Sequence, residues 1–363
     1  MTFRILAMGG DGIGTEVLDQ GIRLIDSLST TYGVSIDITE DFLGGAAYDR
    51  FGTFCRDETV VRAKQSDAIL VGAVGGPKWD GITMEGGPEM QDGLMRLRKE
   101  LDCFAGLRPA KAFPVLEDRT PYRPGLASRA DIMVLREMCG GAFFGIPRGV
   151  ETDRDGKRVG FDNSLYTENE IVRIARVGFE LARRRSGRLC SVDKANVMQT
   201  YVLWREVIRE MATEYPDIEL TVLYADNAAY QLARNPMAFD VIVGDNLFGD
   251  IFSDQAAVVC GSLGMLPSAC LQHLPAENET ARGIYEPVHG TAPDIAGLDQ
   301  ANPIGMLLTV AMMAEYSMGR SDLKQVIETA VERSLAEGIR TPDLGGSATS
   351  QEVTDAVIRH IRA

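Results

Sequence analysis

The chain has 363 residues, 45% hydrophobic and 25% charged. That composition fits folded globular domains and excludes a disordered or collagen-like chain. Its 37 Lys and Arg against 52 Asp and Glu leave a net charge of −15, which repels phosphate backbones and argues against a nucleic-acid partner.

Taken in chain order, Met1 to Met8 reads as a strand, without the apolar core and cleavage site of a signal peptide. Glycines follow over 9–14, and Glu16–Leu28 carries helical apolar spacing. Ala68–Ala73 (AILVGA) is a continuous apolar run, which predicts a strand buried on both faces. Ile132–Leu135, Leu189–Val192, Leu220–Tyr224 and Val241–Val243 repeat that character. Helices are predicted between them at Glu168–Arg184, Tyr201–Tyr215 and Ala228–Ala233, which makes an α/β alternation. The polar stretch 149–161 contains Asp155-Gly156 and reads as a hairpin, either a surface hairpin or an arm that pairs with a second subunit. Pro303–Ala314, the longest apolar run, predicts a buried helix and is too short to span a bilayer. We expect a cytoplasmic protein with no membrane partner.

The three histidines (His273, His289, His360) exclude a His-rich zinc site. The six cysteines have no C-x-x-C pair and read as core thiols. A metal must then sit mostly on carboxylates, which favours Mg²⁺ or Mn²⁺. The 9–14 glycines do not spell G-x-G-x-x-G in any register, so no Rossmann fingerprint is present. There is no phosphate-binding P-loop either.

Four constellations remain. Asp250 and Asp254 are spaced i, i+4, roughly 6 Å apart on one helix face. They are either a solvated helix start or two ligands of a cation, with Asp226 as a candidate third. Arg98, Arg108 and Arg136 follow or end apolar segments, and serve either in separate salt bridges or as a clamp for a small dicarboxylate. Lys194, just after an apolar strand, is either a surface lysine or a base of lowered pKa. The segment 286–297 is rich in turn residues and is either a plain turn or a loop that lets a cofactor approach the backbone.

Together these segments resemble the β-decarboxylating dehydrogenases, the family of 3-isopropylmalate, isocitrate, homoisocitrate and tartrate dehydrogenases. Ten stretches carry the resemblance in order: GGDGIGTEV, GAVGGPKWD, LMRLRKEL, LRPAKAFP, SVDKANV, DNAAYQLARNP, NLFGDIFSD, GSLGMLPSA, YEPVHGTAPDIAG and ANPI. GAVGGPKWD and GSLGMLPSA look like the isopropylmalate branch.

The resemblance implies a two-domain α/β fold with a large mixed sheet flanked by helices. Residues 1–102 plus 261–363 would bind the cofactor, and residues 103–260 would carry the arm and the metal and catalytic residues. It implies a homodimer with shared sites and NAD- and metal-dependent oxidative decarboxylation of a 3-substituted malate. Asp226, Asp250 and Asp254 would hold Mg²⁺ or Mn²⁺. Arg98, Arg108, Arg136 and Asp226 would bind the substrate, with Leu94 and Met95 beside it. Lys194 and Asp226, reaching across from the neighbouring subunit, would do acid–base work. Gly75, Gly76, Glu286, His289, Gly290, Thr291, Ala292, Asp294, Ile295 and Asn302 would line the dinucleotide, Asp294 favouring NAD over NADP.

The chain also departs from the family. Phe143 stands where the family has a tyrosine thought to supply a proton. The stretch 81–92 is about two residues longer than usual, and Gln91 falls where an acidic residue often faces the substrate's side group. These changes leave two alternatives open: a tartrate- or malate-type, weakly decarboxylating enzyme, or a ligand-binding pseudo-enzyme.

Overall fold

The computed structural model describes residues 2–362. Twelve strands form: β1 (Phe3–Gly10), β2 (Ile36–Glu40), β3 (Ala68–Ala73), β4 (Ala105–Lys111), β5 (Asp131–Glu137), β6 (Gly149–Thr152), β7 (Arg158–Phe161), β8 (Arg188–Asp193), β9 (Glu219–Tyr224), β10 (Val241–Gly244), β11 (Ala269–Leu271) and β12 (Gly283–Tyr285). The helices are α1 (Gly14–Tyr32), α2 (Gly44–Phe51), α3 (Asp57–Gln65), α4 (Gly93–Glu100), α5 (Glu168–Arg183), α6 (Gln199–Ala212), α7 (Ala225–Arg234), α8 (Asn246–Ala257), α9 (Ile304–Tyr316), α10 (Ser321–Ala336) and α11 (Ser350–Arg362).

Ten strands make one mixed sheet in the order β2-β1-β3-β12-β11-β4-β5-β10-β8-β9. Its wings are parallel, and the pairs β12–β11, β11–β4 and β4–β5 in the middle are antiparallel. Every residue of β3 is buried, as a strand covered by helices on both faces requires. The helix at Pro303–Ala314 is there as α9, apolar on nearly all sides because α1, α10 and α11 surround it. Thr167 and Glu170 close a capping box that starts α5 where its periodicity begins.

The sequence reading placed β1, β3, β5, β8, β9 and β10 and the helices α1, α5, α6, α7 and α9 to within a few residues, and it made no assignment for α2, α3, α4, α10 or α11. It did not resolve β2, β4, β11 and β12. The last two have three residues each, and β4 carries Arg108 and Pro109 inside the strand, so neither length nor apolar pattern marked them.

The hairpin stands apart. β6 and β7 pair only with each other, and nearly every residue is exposed. Asp153 N–H donates to Lys157 O at 2.8 Å, and Gly156 has φ +77°, so the turn is a three-residue loop closed by a left-handed glycine. A lone two-stranded hairpin is at best marginally stable in water. Among the described residues no helix is long and apolar enough to cross a membrane, and all six cysteines are free.

Candidate active site

The antiparallel middle of the sheet gathers the three arginines. The β4–β5 register sets Gly106 opposite Arg136, so Arg108 and Arg136 point to the same face. Arg98 comes from the last turn of α4. Each is nearly buried, and each has a carboxylate partner. Arg98 Nη2 donates to Glu286 Oε2 at 3.1 Å. Arg108 Nη1 donates to Asp250 Oδ1 at 3.0 Å and to Ser253 Oγ at 2.7 Å. Arg136 Nη1 also donates to Asp250 Oδ1, while its Nε and Nη2 hold Asn246 Oδ1 at 3.0 and 2.8 Å.

One carboxylate thus serves two guanidinium groups. Burial, and then Arg108, push Arg136 down to about 9, which marks a cation short of anions. Arg98 Nε and Arg108 Nε are buried with no hydrogen-bond partner. These donors fit a ligand with carboxylates of its own.

A polar chain behind Arg136 fixes its direction. Tyr166 hydroxyl donates to Glu137 Oε2 at 2.9 Å and accepts from Asn246 N–H at 3.0 Å. Asn246 Nδ2 donates to Gly140 O at 3.0 Å. Glu137 is fully buried and accepts from the backbone N–H of Cys139 and Gly140; burial raises it to about 7. The sequence reading missed Glu137, Tyr166 and Asn246, because their roles depend on partners up to 110 residues away.

α8 brings the aspartates. Asp245 is its N-cap, accepting from Phe248 N–H at 2.8 Å and from Tyr201 hydroxyl at 2.8 Å. A Cβ at Gly249 would lie 2.7 Å from Arg136 Cβ, so glycine lets α8 seat directly on β5. Asp250 and Asp254 lie one turn apart, as the spacing predicted. Partial burial and the Asp250 charge hold Asp254 above the ordinary carboxylate range. Two crowded carboxylates suit a hard divalent cation.

Asp226 does not join them within one chain. Among the described residues no group of three His, Cys, Asp or Glu could hold a metal. Asp226, in the first turn of α7, is bound by Lys194 Nζ, and that hydrogen bond lowers its pKa. Its side chain is 71% exposed, against 28% for Lys194. Exposed apolar side chains lie on the same elements: Val197 after Lys194, Tyr230 on α7 and Ile251 on α8.

The cofactor candidates converge on the glycine turn after β1. Asp11 is buried and accepts from Gly45, Ala46 and Gly75 N–H at 2.7–2.8 Å. Ile13 N–H donates to Thr291 O at 2.8 Å. The turn therefore ties Gly75-Gly76 to Thr291, and Asp11, which the motif search passed over, is the tie. A Cβ at Gly75 or Gly290 would meet nothing within 4 Å, so both backbones face open space. His289 is buried with its Nε2 unpartnered, and Asp294 is exposed, with Ile295 half-buried beside it. An orphaned ring nitrogen beside bare glycines fits a nucleotide.

Two residues expected at the dinucleotide already have partners within the protein. Glu286 is buried on Arg98, since an unpaired buried guanidinium is costly; burial raises it to about 7, against the pull of Arg98. Asn302 is buried, donates to Asp343 at 3.0 Å and accepts from Ile304 N–H at 3.0 Å, just ahead of α9. The Gln91 amide is paired with the Met84 backbone, accepting from its N–H and donating to its carbonyl. Leu94 is buried and Met95 half-buried, both on α4. Phe143 is half-buried, its ring centroid 5.5 Å from Arg136 Cζ.

The sequence model of the family described as isocitrate/isopropylmalate dehydrogenase matches residues 4–357. The 3-isopropylmalate dehydrogenase of Cereibacter sphaeroides is 50% identical over 365 residues, 99% of this chain and 98% of that one. That of Xanthomonas oryzae pv. oryzae (strain MAFF 311018) is 47% identical over 357 residues, 98% of each chain. Among solved structures, isocitrate dehydrogenase from Methylococcus capsulatus superposes with a TM-score of 0.86 at 31% identity, covering 99% of this chain and 100% of that one. A β-decarboxylating dehydrogenase from Thermococcus kodakarensis gives 0.75 at 32%, covering 99% and 96%. With the mixed sheet and the arginine–aspartate cluster at its centre, these matches establish that the chain belongs to the isocitrate/isopropylmalate dehydrogenase family.

Proposed function

We propose that the protein is an NAD- and divalent-cation-dependent dehydrogenase that oxidises and decarboxylates a 3-substituted malate of the 3-isopropylmalate type. The carrying observation is Asp250 shared by Arg108 and Arg136, beside Asp254 and the unpartnered Nε donors of Arg98 and Arg108. The arginines bind the malate carboxylates and fix its orientation. Asp250 and Asp254, with Asp226 of a second subunit, hold Mg²⁺ or Mn²⁺. Gly75, Gly76, His289, Gly290, Thr291, Ala292, Asp294 and Ile295 line the NAD site, with Glu286 and Asn302 supporting it from behind. Held by these residues, NAD would serve as hydride acceptor and Mg²⁺ or Mn²⁺ as Lewis acid, the chemistry that oxidation at C2 and departure of the 3-carboxylate as CO₂ would need. Lys194, as the neutral amine, accepts the C2 hydroxyl proton, and Asp226 holds the ammonium that results.

The working form is a homodimer with shared sites. Its support is the hairpin without a core and the exposed apolar side chains on the elements of the site: Val197 after Lys194, Tyr230 on α7 with Asp226, and Ile251 on α8 beside Asp250. Residues 1–102 with 261–363 form the cofactor domain and residues 103–260 the second. This division is supported by the strand order, in which the first set supplies β2-β1-β3-β12-β11 and the second β4-β5-β10-β8-β9.

The test is NADH formation with a panel of 3-substituted malates, with and without Mn²⁺. Chelation should abolish turnover, and Asp250→Asn should raise the cation concentration needed for half-maximal rate. Full activity in excess chelator would remove the metal assignment. NAD should exceed NADP in kcat/KM by about tenfold or more, since a 2′-phosphate would face the Asp294 carboxylate. Equal values would take that role from Asp294.

A further inference from the structure

Between the loop 81–92, α4 and the hairpin lies an open cavity of about 730 Å³, a volume found in pockets that enclose drug-sized ligands. Its walls are mostly apolar: Met84 and Pro88 from the loop 81–92, Met95 from α4, Phe143 and Ile146 after β5, and Phe161 of the hairpin. Two of these wall residues join the cavity to the arginines. Met95 precedes Arg98 by one helical turn on α4. Phe143 sits against the Arg136 guanidinium.

Of the polar residues that line it, Thr83 and Glu151 are exposed to solvent, and Gln91 and Arg148 are committed elsewhere. Gln91 Nε2 donates to Met84 O at 2.7 Å and its Oε1 accepts from Met84 N–H at 2.9 Å, so the amide closes the loop on itself. Arg148, at the rim, donates to Phe143 O at 2.8 Å and pairs with Asp162 at 3.2 Å. Phe143 brings a ring with no hydroxyl. What remains beside a dicarboxylate clamp is an apolar trough far larger than three carbons need.

We propose that the preferred malate carries an extended apolar 3-substituent, a straight chain of about five or more carbons or an arylalkyl group, lying along Met84, Met95 and Phe143. This rests on the reading of the site as a 3-substituted malate dehydrogenase. Burying one methylene is worth about fourfold in an equilibrium or specificity ratio.

The experiment compares kcat/KM for NAD reduction across malates bearing 3-methyl, 3-isopropyl, 3-n-butyl, 3-n-hexyl and 3-benzyl groups. Calorimetric titration of the same compounds with Mn²⁺ and no NAD reads binding alone. Both should rise about fourfold per added CH₂ along the straight chains, and hexyl or benzyl should exceed isopropyl by tenfold or more. Met84→Trp, which fills the trough from the loop 81–92, should lower the ratio of the hexyl to the methyl value at least tenfold. A maximum at isopropyl, with hexyl and benzyl weaker, overturns the proposal while the dehydrogenase reading stands. An equal hexyl-to-methyl ratio in the wild type and Met84→Trp overturns the placement of the chain in this trough. If no member of the series reduces NAD or binds, the dehydrogenase reading falls and the proposal falls with it.

Discussion

Lys194→Met should lower kcat by about 10²–10⁴-fold, the usual worth of a positioned general base, while circular dichroism and melting stay close to wild type. Asp250→Asn should be similarly inactive. Mixed, the two dead variants should recover activity. In a two-fold dimer whose lysine serves the neighbouring site, a heterodimer holds one site with both groups intact and one with neither. Random re-association makes half the dimers mixed, so about a quarter of wild-type activity should return. The measurement is NADH formation after the variants are co-expressed or unfolded and refolded together. Persistent inactivity in verified heterodimers would show that Lys194 and Asp250 act within one chain.

The second large effect concerns Phe143. After CO₂ leaves, the remaining carbon needs a proton, and Phe143 has none to give. Tyr166, the neighbouring phenol, is buried with its hydroxyl held by Glu137 and Asn246, so it does not stand in. Loss of a general acid typically costs about 10²–10⁴-fold. Hydride transfer should therefore run ahead, with NADH appearing in a first-turnover burst before decarboxylated product. Phe143→Tyr should speed the second phase and leave the burst rate nearly unchanged. Stopped-flow absorbance beside quenched-flow product analysis separates the phases. A single common rate, unaltered by Phe143→Tyr, would mean that another group supplies the proton.

The residues legible in the sequence were those whose placement is local. β3 is written in six apolar residues, and the Asp250–Asp254 spacing becomes one helix face because Asp245 caps α8 just upstream. The central strands were not legible, because β11 and β12 are too short to carry a pattern and Pro109 breaks that of β4. The register Gly106↔Arg136 joins residues 30 apart, and Arg98–Glu286 joins residues 188 apart. Non-local pairing of this kind leaves no periodic trace. The pairing of Glu286 was not legible for that reason: its loop looks like a ligand loop, while its side chain answers an arginine on another element. The separation of Asp226 from Asp250 is likewise a property of the folded surface, which spacing along the chain does not encode.

Asp250 has a consequence for how ligands arrive. It neutralises both Arg108 and Arg136, so a cation that claims its carboxylate must draw it from two guanidinium groups. A dicarboxylate that claims those guanidinium groups sets the aspartate free. Each ligand thus removes the competitor of the other, and linkage requires each to raise the other's affinity by the same factor. The site behaves as an ion exchanger with one shared counter-ion, unwilling to fill by halves, and metal titrations with and without the dicarboxylate should differ in affinity accordingly.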